Sequence, residues 1–293
     1  MSAADIHSPS IPVQSRSRRA LRAALGNPLA LIGAIGCGLL VLLACFGPWL
    51  APYNPLDQSI LARFAPASAS HWLGADGYGR DTLSRILYAS RASLVISIAS
   101  VVAGVVIGVA IGIVSAYRGG IIDAIVSELA NMLLAFPTVV VGILVLVALG
   151  PGAQNVVIAL ALSFIPRFIR LARAETLAVK ERTFVEAARV TGVTDRQIMV
   201  RHILPNVIGT AIVSGALWTA TALRAEATLS FLGLGVQLPY PSWGNMISDG
   251  MPYIFSNPEL VVYPCLAIVF AVVFFNILGD ALRDYFDPHT DQH

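Results

Sequence analysis

Charge is scarce in this sequence. Only 12% of the 293 residues are Asp, Glu, Lys or Arg, where a soluble domain carries about 25%. With 56% hydrophobic residues and a mean hydropathy of +0.75, the composition excludes disorder, collagen, a coiled coil and most soluble enzymes. A chain this apolar needs lipid as its solvent. The net charge of +2 is too small to suggest a nucleic-acid partner. Cysteine occurs three times, at Cys37, Cys45 and Cys265, always in apolar runs and never as Cys-x-x-Cys, which argues against a disulfide framework or a metal site. The histidines are scattered without metal-ligand spacing. Lysine occurs once, as Lys180 after Val179, so a Gly-x-x-x-x-Gly-Lys-Ser/Thr phosphate loop cannot be built. No His-Glu-x-x-His or Gly-x-Ser-x-Gly occurs, so a membrane protease or esterase is poorly supported. No catalytic residue, metal or cofactor is expected in this chain. An ion-gradient-driven secondary transporter is the alternative of a different class. It would want paired acidic residues or broken helices at mid-membrane, often with repeat symmetry, and no such cluster is seen in the sequence.

What the sequence does have is long charge-free stretches, at 23–56, 92–117, 129–166, 207–223 and 260–279. The third is too long for one crossing of a core about 30 Å thick, and Gly150-Pro151-Gly152 divides it. Six spans are expected: 29–50, 92–117, 129–149, 153–172, 207–227 and 260–279. Asn27-Pro28 makes a good start for the first, and its 22 apolar residues exceed a signal-peptide core of about 7–15. Arg167 and Arg170 are expected to snorkel from the end of the fourth. Six spans place both termini on one side. That side also receives the basic residues Arg16, Arg18, Arg19, Arg22, Arg118, Arg283 and those from Arg167 to Arg201, so it is cytoplasmic by the positive-inside rule. The remaining segments are a basic N-terminal arm (1–28), a periplasmic connection (51–90), a cytoplasmic loop (178–206) and a cytoplasmic tail (284–293).

The cytoplasmic loop has internal structure. Thr183 and Glu186 have the spacing of a capping box, and Gly192 stands where a left-handed C-terminal cap belongs, predicting a helix near 184–191. Thr194 and Gln197 repeat the box, predicting a second short helix that meets Pro205. By spacing alone this is either a basic helix pair lying on anionic lipid or a docking element for a cytoplasmic partner. Three polar residues of the spans are candidates for a translocation path: Asn131, Arg224 and Glu226. The last two, at i and i+2, point to different faces and cannot pair well with each other. Asp76 to Asp81 superficially resembles a calcium loop but lacks its spaced carboxylates, and reads as a turn with structural ion pairs.

Glu186-Ala187-Ala188, Gly192 and Leu204-Pro205 resemble the coupling-loop motif of ABC importer permeases. The resemblance extends in order along the chain, through His71-Trp72-Leu73-Gly74-Ala75-Asp76, Gly79-Arg80-Asp81, Ala135-Phe136-Pro137, Leu229 to Gly235, Ser242-Trp243-Gly244 and Gly279-Asp280-Ala281-Leu282-Arg283-Asp284. The branch it resembles is that of dipeptide, oligopeptide and nickel importers, in the subunit with an extra N-terminal segment. The resemblance implies an all-α membrane protein of the type I importer permease fold, with cytoplasmic coupling helices and a core over 91–283. It implies location in the bacterial inner membrane. It implies as partners a second homologous permease, two ATP-binding subunits that carry ATP and Mg, and an extracytoplasmic binding protein. Thr183, Glu186, Ala187, Ala188, Gly192, Leu204 and Pro205 would couple the ATPases to the spans. The solute would be a di- or oligopeptide, with nickel, glutathione or opine- or sugar-like solutes as the alternatives within the family.

Overall fold

The computed structural model describes residues 28–286, which are mostly helical, with no strand among them. The expected arm (1–28) therefore lies outside the described residues except for Pro28. The elements are α1 Pro28–Leu50, α2 Thr82–Arg118, α3 Gly120–Leu134, α4 Thr138–Leu149, α5 Ala153–Lys180, α6 Thr183–Val190, α7 Asp195–Ile198, α8 Leu204–Phe231, α9 Trp243–Gly250 and α10 Glu259–Phe286. Among the described residues, five helical segments are long and apolar enough to cross a membrane, and α3 with α4 makes a sixth if the pair, bent by 95°, is one span.

That bend corrects the straight span expected over 129–149. The helix begins at Gly120, after two glycines in the left-handed region, Gly119 (φ 69°) and Gly120 (φ 60°), turn the chain out of α2. It breaks at Ala135-Phe136-Pro137, because proline offers no N–H and disfavours helical geometry in the residue before it. Asn131 thus sits within α3 rather than at the start of a span. The division at 150–152 is present: Gly150 and Gly152 have φ of 86° and 141°, and the Asn155 side chain donates to the carbonyls of Leu149 and Gly150, both at 3.0 Å.

Helix α2 begins ten residues before the expected 92, so the connection ends near 81. Its start is capped by Asp81, whose carboxylate accepts from Ser84 N at 2.8 Å and Ser84 Oγ at 2.7 Å and lies 2.9 Å from His71 Nδ1. Beside it the ion pairs read into Asp76–Asp81 are present. Arg80 Nε donates to Asp76 at 2.7 Å, and the wholly buried Arg85 reaches Asp76 at 3.4 Å and Asp249 at 3.2 Å. This cluster ties the connection and α2 to α9. Arg85→Ala leaves Asp249 with Arg80 alone, at 3.3 Å. Breaking a buried pair costs about 3–5 kcal/mol, and here the lower end is expected because Asp249 keeps some contact with water. Thermal unfolding in detergent should register the loss.

The core is made by α2, α5 and α8, with α4 and the 183–207 segment packed on it. Gly104, Gly108 and Gly112 form a ladder on α2, spaced four apart, along which the backbone of α5 lies in contact. A methyl group at Gly108 would fall 2.7 Å from the Ile165 carbonyl oxygen, and one at Gly112 would fall 2.6 Å from that of Ile169. Small residues at this spacing let helices approach closely in lipid, where there is no hydrophobic drive to associate. Helix α1 lies at the margin of this core. It packs on α2 and α10 in a second cluster, with Gly36 against Phe274 and Gly47 against the Leu87 carbonyl.

Candidate functional site

At one end of the bundle, the segment 183–203 is anchored to the core. Val185, Ile198 and Ile203 are wholly buried. The polar anchor is Tyr117, in the last turn of α2. Its hydroxyl donates to Asp195 at 2.7 Å, and the Arg189 guanidinium lies over its ring at 5.2 Å. Lys180 donates to the Tyr117 carbonyl at 2.8 Å, filling an unpaired position at the end of α2. Asp123 of α3 and Arg173 of α5 add a bidentate pair at 2.7 and 2.8 Å. Segment 183–203 is thereby held to α2 and, through α7, to α8, while the Asp123–Arg173 pair holds α3 to α5.

Two expectations for this segment need correction. The Thr183–Glu186 capping box does not form: Arg182 is the N-cap, Thr183 is the first helical residue, and no side chain caps this end. Pro205 does not stop the second helix either. The chain passes from α7 through a π-helical turn, Met199–Ile203, directly into α8. The wider turn accommodates the proline ring and its missing N–H, and Asn206 Nδ2 donates to the His202 carbonyl at 2.6 Å. The Thr194–Gln197 box is present, and Gly192 has φ 80°. Glu186, Ala187 and Gly192 are exposed, Ala188 is half-buried against the core, Leu204 is half-buried and Pro205 exposed.

The three residues considered for a path are not brought together. Asn131 is exposed on α3. Arg224 is exposed on α8, with its guanidinium on Thr221 Oγ1 at 3.2 Å. Glu226 is wholly buried on the other side of α8: Oε1 accepts from Ser230 Oγ at 2.7 Å, while Oε2 has no partner. Ser93 of α2 lies near it and its oxygen accepts from Trp243 N at 3.2 Å, so α2, α8 and α9 meet around Glu226. Arg167 departs from the expected snorkelling. Its guanidinium folds back along α5, donating to Ser163 O at 2.7 Å and Thr138 Oγ1 at 3.0 Å, with the Trp218 ring 4.7 Å away. Tyr117, Lys180, Asp195 and Arg167 carry no motif, and only their contacts across the fold reveal them. The glycine ladder, by contrast, has a spacing visible in the sequence.

Residues 82–292 match the family model described as the binding-protein-dependent transport system inner membrane component, and residues 15–67 match the N-terminal transmembrane domain of oligopeptide transport permease C. The chain belongs to this permease family. The permease is 37% identical over 271 residues to the dipeptide transport system permease protein DppC of Alkalihalophilus pseudofirmus, covering 92% of this chain and 89% of that one. It is 39% identical over 263 residues to the glutathione transport system permease protein GsiD of Escherichia coli O157:H7, covering 89% and 86%. Its fold is similar to that of a chain of the inward-facing MetNI methionine ABC transporter, with a TM-score of 0.56 at 20% identity, covering 69% of the permease and 97% of that chain. The permease is thus a multi-pass membrane subunit of an ABC importer, and the family is not one of enzymes.

Proposed function

We propose that this permease forms, with a second homologous permease, the path by which di- or oligopeptides delivered by a binding protein cross the inner membrane, with both termini in the cytoplasm. Work comes from two ATP-binding subunits, which hold ATP and Mg and dock on α6. The observation that carries this reading is the two-sided character of α6. Val185 is buried in the core, while Phe184, Glu186, Ala187 and Val190 stand exposed, leaving one face for a partner's groove. Rigid caps at Gly192 and Thr194 suit a part that transmits force as a body. The peptide assignment is supported by the dipeptide and glutathione permeases among the relatives. Glutathione is the neighbouring alternative.

The test is co-purification from detergent-solubilised membranes of cells holding the whole importer. The wild-type chain should bring down ATPase activity. Glu186→Lys, which puts the opposite charge on the docking face without touching the core, should lose at least about tenfold of it, the effect of roughly 1.4 kcal/mol at an interface. ATPase recovery equal to wild type would remove α6 as the docking element.

A further inference from the structure

Arg167 and Arg224 stand apart from the other cations of the permease. Arg167 is 14 residues from the start of α5, roughly 21 Å along the helix, and so near mid-membrane. Trp218, which it touches, is 14 residues from the start of α8, at a similar depth from the other side. Arg224 lies seven residues from the far end of α8, roughly 9 Å beyond Trp218. Neither guanidinium makes an ion pair with a described carboxylate. Glu226, the nearest acid in sequence, is buried on the other side of α8. Each arginine keeps some accessible surface.

A guanidinium facing lipid at mid-membrane costs about 2.5–3.5 kcal/mol even on the mildest scale, so Arg167 faces water or protein; nearer the helix end, at Arg224, that cost is smaller. The surface of α8 around Arg224 favours water. Thr210, Ser214, Thr221, Arg224 and Thr228 fall on one face, spaced 4, 7, 3 and 4 apart, and none is buried. The stripe is interrupted at Leu217, which packs against Gly279 of α10, and beyond that point Thr221, Arg224 and Thr228 remain as a polar patch over the last two turns. A point contact with a neighbouring helix needs one or two polar groups, and this patch carries three. Arg167 and Trp218 lie beside the stripe, close to the break between α3 and α4, since Arg167 bonds Thr138, the first residue of α4.

We infer that Arg224 and Arg167 are successive receptors for carboxylate groups on the passing solute, the first in the outer part of the path and the second at its middle, with Trp218 beside the second. The inference rests on the peptide-importer reading and adds to it a preference for carboxylate-rich solutes. A guanidinium presents a planar fork of donors that matches a carboxylate. Here the backbone and hydroxyl bonds of Arg167 and the single Thr221 bond of Arg224 hold the forks in place and leave donors free. Two unpaired cations also oppose a cationic solute.

The experiment is uptake by proteoliposomes holding the complete importer, with Ala-Asp and Ala-Lys as probes, for wild type, Arg167→Gln, Arg224→Gln and Arg224→Lys. The same binding protein delivers both peptides, so its own preference cancels when variant is compared with wild type. Each glutamine variant should lower the Ala-Asp to Ala-Lys uptake ratio about tenfold, the loss of one charge-assisted hydrogen bond, and Arg224→Lys should restore most of it. Basal ATPase activity and co-elution of the second permease should stay at wild-type levels. Equal loss for both peptides, an unchanged ratio, or release of the second permease by Arg224→Gln would overturn the inference while leaving the importer reading intact. A wild-type complex that imports neither peptide would overturn the peptide reading and the inference with it.

Discussion

Gly108→Leu is expected to prevent the permease from folding, and Gly108→Ala to weaken it measurably. A Cβ at this position meets the Phe168 Cβ at 2.6 Å and the Ile165 carbonyl oxygen at 2.7 Å. The second obstacle is backbone inside a helix and cannot rotate away. Even one methyl group forces α2 and α5 apart, and overpacking of a tight core costs about 1–3 kcal/mol. A leucine adds three more carbons where the two backbones touch, so most of the packing between these helices is lost with it. Gly104 and Gly112 would be pulled out of register too, because the three glycines share one face of α2. Two measurements check this: the amount of chain recovered as a monodisperse species in detergent, and its melting temperature against wild type. Gly38, on α1 with open space around it, is the control; Gly38→Leu should leave both unchanged.

Gly192→Pro should abolish uptake by the assembled importer while leaving membrane insertion intact. Gly192 has φ 80° with nothing within 4 Å of a built Cβ, so the obstacle is the backbone rather than space. Proline fixes φ near −65° and removes the Gly192 N–H that bonds the Arg189 carbonyl. The turn between α6 and the Thr194 cap must then open, and the joint proposed to carry α6 movement through Asp195 to Tyr117 is lost. A fall of about a hundredfold in uptake is expected, the size of effect that a misplacement of about 1 Å has on geometry-dependent steps. Peptide uptake in proteoliposomes at matched subunit levels is the measurement, and uptake within twofold of wild type would exclude a coupling role for this hinge.

Part of this molecule was legible before any coordinates. Stretches without charge locate helices that must lie in lipid, because a charge at the bilayer centre is costly and an unpaired backbone is costlier still. The break at 150–152 was equally readable, since glycine and proline act on the backbone locally. Gly192 and the Thr194–Gln197 box belong to the same class. The parallel Thr183–Glu186 signal failed, although its spacing is identical. A capping box is only an option for the backbone, and at Thr183 the chain extends the helix by one residue instead, with Val185 buried in the core.

The 95° bend at 135–137 and the passage through Pro205 show the limit of local rules. Both prolines interrupt the hydrogen-bond ladder, yet one turns the chain and the other is absorbed by a π turn. The outcome depends on what the flanking helices pack against, and one strand of sequence does not record that. The polar residues divide in the same way. Their spacing alone places Arg224 and Glu226 on different faces of α8, but which face is buried is decided by Ser93 on α2 and Trp243 on α9. Arg167 read as a snorkelling residue because its flanks suggested a helix end. In the fold α5 continues to Lys180, and Trp218, 51 residues away, draws the guanidinium inward. Span number and the hinges were thus determined by the sequence itself, through the cost of charge in lipid and the local backbone chemistry of glycine and capping residues. The tertiary structure alone decided the bend, the anchoring of α6 on Tyr117 and the placement of Arg167 and Arg224 away from any described carboxylate, because each depends on neighbours that are distant in the chain.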